Sequence, residues 1–296
     1  MRKFRPLLRS VTRCQSSGTA GKTDFGFKDV ASQEKERLVR EVFSKVASKY
    51  DVMNDLMSVG AHRLWKDELI QMMGYPTAAR IDASKVPRHL DVAGGTGDIA
   101  FRSAREMSKA FGASFELQQQ QQKAGDSESD RQVVVCDINP EMLAVGASRA
   151  PSLLGPSLSK AVGFVEGNAE SLPFPDESFD VYTIGFGLRN VTNKQKALEE
   201  AYRVLRHGGR ILIMEFSHLT HPALQAIYDA YSFNIIPEIG NLVAGDKASY
   251  QYLVESIRRF PRQDQLCDMV SRAGFKYSTY TNFNLGIVAV HSGFKL

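Results

Sequence analysis

The run HLDVAGGTGD at residues 89–98 decides the fold. Its first four residues, HLDV, read as a short strand buried on both faces. The glycines that follow let the backbone turn tightly and approach a bound nucleotide. Ala100, Ala104, Met107 and Phe111 then recur at helical spacing. A strand that passes through a glycine turn into a helix is the opening unit of a nucleotide-binding α/β fold.

Downstream, VVVC at 133–136 reads as the next strand, ending at Asp137, with a helix after Pro140. Further strands are expected at 162–166, 180–185 and 210–215, with a helix around 197–205. This alternation predicts a doubly wound, mostly parallel sheet with ligands at the carboxyl ends of its strands. The stretches 275–283 and 286–294 are close enough to pair as a terminal antiparallel hairpin, turning at Asn284, Leu285 and Gly286. Upstream, residues 26–80 read as a helical preface. One helix carries Val39, Val42, Phe43, Val46 and Tyr50, and a second carries Leu64, Trp65, Leu69, Ile70 and Met73. Residues 112–132 combine a polyglutamine run with mixed charge and Ser, the composition of a disordered surface loop. Segment 222–260 sets Leu224, Ile227, Tyr228, Tyr231 and Ile235 on one helical stripe, which suits either a lid over a substrate or ordinary core packing.

At 296 residues and 43% hydrophobic, one catalytic domain with appendages is expected. The formal charge of +4 is inflated by Arg2, Lys3, Arg5, Arg9, Arg13 and Lys22, all ahead of the first acid, Asp24. The rest is near neutral and shows no nucleic-acid footprint. Three scattered cysteines exclude a disulfide framework and a zinc site. His218 and His221 lack a third ligand nearby, so no metal centre is expected. No apolar run approaches the ~18 residues that span a bilayer. The N-terminus is rich in Arg and Ser, lacks acids, and sets Phe4, Leu7, Leu8 and Val11 on one helical face. That is the composition of a mitochondrial transit peptide, expected over residues 1–25.

Gly95, Gly97 and Ala100 also satisfy the dinucleotide spacing G-x-G-x-x-A. Charge separates the two readings. Asp91 and Asp98 flank the glycine turn of Gly94, Gly95 and Gly97, where they would repel a pyrophosphate but suit the cationic sulfonium and ammonium of S-adenosyl-L-methionine. Asp137 stands 40 residues after Gly97, against about 20 in the usual pattern, and the excess matches the polyglutamine segment. At that strand end a carboxylate can accept both ribose hydroxyls, and can also cap the helix that follows. Asn168 and Ala169 offer an amide and a backbone N–H to the adenine edge, with Leu172 and Phe174 walling the base.

Together with FGFKDV (25–30), VFSKVASKYDVMNDLMSVGAHRLWKDEL (42–69), IGFGLRNVTNK (184–194), ALEEAYRVLRHGGRILIMEFS (197–217) and YQYLVESIRRFP (250–261), these motifs make the chain resemble the ubiquinone and menaquinone biosynthesis C-methyltransferases. The likeness runs from about Phe25 to the end, so that residues 26–296 form one methyltransferase domain. It implies a class I S-adenosylmethionine-dependent methyltransferase fold, a seven-stranded sheet whose last two strands form an antiparallel hairpin. It also implies cofactor contacts at Thr96, Asp137, Asn168 and Ala169. Asn168 stands where the family often has Asp, and Gly185 where many members have Ser, leaving Gly185 a backbone contact only.

The implied reaction is methylation of a ring carbon of a polyprenylated benzoquinol in ubiquinone biosynthesis. The demethylmenaquinol version shares these motifs, and mitochondrial targeting favours the benzoquinol. A cofactor-binding scaffold in a quinone-biosynthesis complex is the reading from another class, and the intact LDVAGGTGD, Asp137 and GLRN argue against it. Implied partners are a multi-subunit ubiquinone-biosynthesis complex and a membrane surface, with the protein peripheral on the matrix side of the inner membrane. Attack by a ring carbon needs a quinol whose hydroxyl, with a reference pKa of ~10, loses or shares its proton. The loop after strand 180–185 therefore offers Arg189 to stabilise the phenolate, electrostatically or through water, and Asn190 to orient the ring hydroxyl. A guanidinium, with pKa above ~12, is too basic to act as a simple base, and a structural salt bridge is the other role open to Arg189. Trp65 and Lys66 read first as packing residues, with covering the cofactor or contacting a partner as the alternative; Tyr50, Asp51 and Arg63 are candidates for the site mouth.

Overall fold

The computed structural model describes residues 22–46, 55, 58, 60–121, 127–245 and 247–296. The preface opens on a hairpin, β1 (Lys22–Phe25) and β2 (Lys28–Ala31), rather than on a helix. Gly26 turns it with φ of +58°. Its strands are too short to show a pattern, and the hairpin is held from outside: Glu255 accepts from the Phe27 N–H at 2.9 Å, and Arg259 donates to the Phe27 carbonyl at 2.9 Å. A transit segment ending at 25 would cut β1, while residues 1–21 lie outside the described residues. Among the described residues the helices α1 (Ser32–Val46), α2 (Ala61–Met73) and α3 (Tyr75–Ile81) follow.

The nucleotide-binding unit is then laid down as β3 (His89–Val92), α4 (Asp98–Phe111), α5 (Ala113–Gln121), β4 (Val133–Asp137), α6 (Pro140–Leu154) and β5 (Val162–Glu166). The second half adds β6 (Phe179–Gly185), α7 (Lys194–Val204), β7 (Leu205–Phe216), α8 (Pro222–Asn234), α9 (Ile236–Ala244), α10 (Lys247–Arg259), α11 (Gln263–Arg272), β8 (Lys276–Phe283) and β9 (Val288–Phe294). The sheet order is β5-β4-β3-β6-β7-β9-β8, with β9 alone running antiparallel to its neighbours. Strand order reverses between β3 and β6, so their carboxyl ends open the crevice where such folds bind ligands. Ala104 and Met107 of α4 pack with Leu69 of α2 on one face; Leu198 and Ala201 of α7 pack with Leu266 of α11 on the other.

The polyglutamine segment corrects the sequence expectation. Its first part is helix α5, anchored by Phe115, which is 0% exposed in the core. One apolar anchor and unbranched glutamines, which are good helix formers, extend the chain beyond α4. Residues 122–126 lie outside the described residues, and the 128–130 turn returns to the sheet, where Glu128 accepts from the Phe164 N–H at 3.2 Å.

Close backbone approach shapes this half of the sheet. A Cβ on Gly146 of α6 would lie 2.7 Å from a Phe164 ring carbon and 3.0 Å from the Thr96 carbonyl oxygen. Gly146→Ala should therefore push α6 away from the glycine turn and cost about 1–3 kcal/mol of stability in urea unfolding. An unchanged midpoint would refute that contact.

Candidate active site

A cavity of about 1120 Å³, its open mouth included, sits at the carboxyl ends of β3, β4 and β6. Gly94, Gly95, Thr96 and Asp98 form one wall, Asp137, Asn168 and Ala169 another, and Gly185, Phe186, Gly187 and Asn190 a third. Helix α1 supplies the roof with Glu36, Val39, Arg40 and Phe43. Asp91, Gly97 and Arg189 are not among the lining residues. Ala93 and Phe186, each just past the end of its strand, β3 and β6, both hold a left-handed backbone, φ +51° and +56°, a strained conformation of the kind that gathers at sites.

Asp91 acts from beneath the turn. A Cβ on Gly94 would fall 2.8 Å from Asp91 Oδ2, so only glycine lets the chain cross here. Thr183, opposite Asp91 in the β3–β6 register, donates to Asp91 Oδ1 at 2.6 Å. Its one proton thus committed, Thr183 accepts from His89 Nε2 at 2.8 Å. Burial drives the His89 pKa down to about 3, keeping the ring neutral, and drives that of Asp91 up to about 7. Nearby Asp98 is a different case: burial opposes its charge, but Lys66 at 2.7 Å and Arg102 at 3.0 Å overcome this and hold its pKa to about 2. The two acids flanking the turn therefore do not present free negative charge to the cavity, and the sequence argument from their charge needs amending. Asp137 does face the cavity.

A raised folded pKa means that Asp91 favours the fold while protonated. This contribution is complete below the unfolded value of 3.8 and is lost as pH rises through about 7. Relative to wild type, Asp91→Asn should gain stability between about pH 5 and about pH 8. Urea midpoints that differ by the same amount at both pH values would contradict the assignment.

Asp137 closes β4. Its Oδ2 accepts from the Gly95 N–H and its Oδ1 from the Asn139 N–H, each at 2.9 Å, so the carboxylate fixes the glycine turn to the second strand. Burial raises its pKa, and these N–H groups oppose the rise. Asn139, rather than Asp137, caps α6: its Oδ1 accepts from the N–H groups of Glu141 and Met142, while its Nδ2 reaches Ser44 Oγ of α1 at 3.1 Å. Asn168 folds its own turn, accepting from the Glu170 N–H at 2.9 Å. Arg203 pins the next residues by donating to the Leu172 and Phe174 carbonyls.

The third wall departs most from expectation. Arg189 is 5% exposed and its guanidinium points inward: Nη1 pairs with Glu215 Oε1 at 2.9 Å and also donates to the Phe186 carbonyl. Glu215, at the end of β7, also accepts from the Arg189 and Phe216 N–H groups. Burial raises the Glu215 pKa, against the pull of Arg189. The structural salt bridge is thus the observed state of Arg189. Asn190 does line the cavity, and Tyr252 of α10 donates to its Oδ1 at 3.0 Å. Trp65 packs beneath, edge-on to Phe216, with its Nε1 donating to Asn284. Lys66 lines the cavity in its pair with Asp98, a position closer to the cofactor-covering alternative than to plain packing. Arg63 pairs with Asp55 rather than lining the cavity, and Tyr50 and Asp51 lie outside the described residues. His218 contacts the Phe260 carbonyl and Arg258; among the described residues no group of three or more His, Cys, Asp or Glu could hold a metal.

A family profile described as the ubiE/COQ5 methyltransferase family matches residues 30–295, nearly the whole described chain. The chain belongs to the ubiE/COQ5 methyltransferase family. Relatives include the mitochondrial 2-methoxy-6-polyprenyl-1,4-benzoquinol methylase of Oryza sativa subsp. japonica, 52% identical over 274 residues, 93% of this chain and 88% of that one. The ubiquinone/menaquinone biosynthesis C-methyltransferase UbiE of a Bradyrhizobium strain is 50% identical, over 93% of this chain and 97% of its own. The fold matches that of a SAM-dependent methyltransferase of Thermotoga maritima, titled a possible histamine N-methyltransferase, with a TM-score of 0.53 at 17% identity, covering 86% of this chain and 99% of that one.

This ubiE/COQ5 family member is an S-adenosylmethionine-dependent methyltransferase, and S-adenosyl-L-methionine is its cofactor. The site fits that group. Gly95, with φ of +55°, presents bare backbone beside Met142; Asp137 keeps acceptor capacity beyond its two backbone bonds; Ala169 lies in the wall. Sequence reasoning missed Glu215 and the α1 roof. The first was signalled by an acid ending the apolar strand ILIME, the second by Val39 and Phe43 one turn apart.

Proposed function

We propose that this methyltransferase methylates a ring carbon of 2-methoxy-6-polyprenyl-1,4-benzoquinol in ubiquinone biosynthesis, joining the benzoquinol named for the Oryza relative to the C-methylation and pathway named for the Bradyrhizobium one. The supporting observation is that one cavity is lined both by Asp137, Asn168 and Ala169 and by Asn190, Val39 and Phe43, so cofactor and an apolar ring share one space. Gly94, Gly95, Thr96 and Gly185 bind the cofactor through backbone and wall contacts, Asp137 takes the ribose hydroxyls, and Asn168 with Ala169 takes the adenine edge. Asp91 and Gly97 support the turn from behind. When bound, S-adenosylmethionine supplies an electrophilic methyl group.

Asn190 donates to the ring oxygen and orients it. Arg189 holds the loop through Glu215 and adds positive potential from behind the wall, so its contribution to the phenolate is electrostatic and indirect. Val39 and Phe43 exclude water above the ring.

Helices α8 to α10 serve as the lid. The side chains once expected to face inward do not all do so: Leu224, Tyr231 and Ile235 are 39%, 37% and 45% exposed. Tyr228 of the stripe instead lines a second, shallow cleft of about 390 Å³, its open mouth included, with Phe216, Ile236, Val254, Ile257 and Arg258. Its Phe216 ring packs 4.8 Å from the Phe186 ring of the first cavity, and this adjacency supports reading the second cavity as the isoprenoid path. The exposed apolar face of α8, beside Phe27 stacked on Phe233, would meet the membrane or partner subunits. No helix of the described residues is long and apolar enough to cross a bilayer. A peripheral position on the matrix side of the mitochondrial inner membrane, within a ubiquinone-biosynthesis complex, follows from this reading.

Side-by-side kinetics on the benzoquinol and on demethylmenaquinol test the acceptor: kcat/KM should favour the benzoquinol, and a clear preference for the naphthoquinol would overturn the assignment. Val254→Trp should raise KM for long-tailed acceptors more than for short ones. Equal changes would exclude the second cavity as the path.

A further inference from the structure

Tyr252 is far in sequence from every cofactor residue, yet its hydroxyl meets Asn190 Oδ1 at 3.0 Å, and its ring stacks on Phe25 of the N-terminal hairpin with centroids 4.2 Å apart and planes at 18°. The backbone around Asn190 is fixed: its N–H donates to the Gly187 carbonyl at 3.0 Å, and the Val191 N–H to that of Leu188 at 3.2 Å. The remaining freedom of Asn190 is in its side-chain torsions. An amide has an accepting end and a donating end. An oxygen that gathers negative charge is stabilised only by the donating end and is repelled by the other. Burial keeps the Tyr252 pKa well above the ordinary tyrosine value, with Arg189 opposing in part, so the phenol retains the proton it donates.

We infer that Tyr252 is a positioning residue: by occupying Oδ1 of Asn190 it turns the Nδ2 donor toward the acceptor's ring oxygen, and so couples the seating of α10 and the hairpin to the reaction. The charge on that oxygen is taken from the proposed C-methylation; the hydrogen bond is independent of it. Tyr252→Phe keeps the ring on Phe25 and removes only the hydroxyl.

The test is a double-mutant cycle of wild type, Tyr252→Phe, Asn190→Ala and the pair. Tyr252→Phe should lower kcat about 10-fold, the weight of one hydrogen bond, with KM for the acceptor and Kd for S-adenosylmethionine changed less than about 2-fold. In the Asn190→Ala background it should change kcat less than about 2-fold. The same loss in both backgrounds, or none in wild type, overturns the inference. The four proteins are also unfolded in urea. A shared hydrogen bond makes the double variant's midpoint loss smaller than the sum of the single losses, and additive losses overturn the inference whatever the acceptor. Wild type that binds S-adenosylmethionine yet leaves the benzoquinol unmethylated would contradict the proposed substrate alone.

Discussion

Asp137→Ala should weaken S-adenosylmethionine binding on the order of 100-fold, read as Kd by calorimetry. The carboxylate already holds the N–H groups of Gly95 and Asn139 at 2.9 Å, so it is oriented before any ligand arrives. Two charge-assisted bonds to ribose hydroxyls, at about 1.5 kcal/mol each, amount to about two powers of ten in affinity. Freeing the Gly95 N–H adds to the loss, because the glycine turn is no longer tied to β4. Asp137→Asn keeps one accepting oxygen and should fall between. A change below about 3-fold for the alanine variant would mean that the ribose is held elsewhere.

Glu215→Ala should cost about 3–5 kcal/mol of folding stability, because it strands the buried Arg189 guanidinium without its carboxylate. The Phe186 carbonyl remains as a partner but carries no charge. Replacing both members, Glu215→Leu with Arg189→Met, should recover most of that loss, since apolar side chains of similar volume need no desolvated partner. Kinetics separate stability from catalysis. The double variant should remain folded and bind cofactor, yet turn over slowly, because the loop carrying Asn190 has lost both its anchor and its positive charge. Wild-type turnover in a folded double variant would remove Arg189 from the reaction altogether.

Much of this was legible in the sequence, for identifiable reasons. The central strands announce themselves because a parallel strand covered on both faces needs no polar alternation, and VVVC at 133–136 has none. The turn was equally plain, since its glycines are required by close approach to Asp91, Met142 and Phe101. The hairpin at 22–31 was hidden because its stability comes from Glu255 and Arg259, more than 200 residues away. Helix α5 was hidden behind glutamines, where the single buried Phe115 carries the packing. Arg189 was placed on the correct loop, but its direction is decided by Glu215 on another strand, a pairing that no local pattern reveals. Val39 and Phe43 looked like a core stripe because a roof over an apolar ligand and a core face have the same periodicity.

The most direct test of the central claim is to incubate the protein with methyl-labelled S-adenosylmethionine and reduced 2-methoxy-6-polyprenyl-1,4-benzoquinol, with Asn190→Ala beside it, and to locate the label in the product by NMR. The account predicts label on a ring carbon, strongly diminished in the variant. Label on a phenolic oxygen, or no transfer by wild type that binds the cofactor, would contradict it.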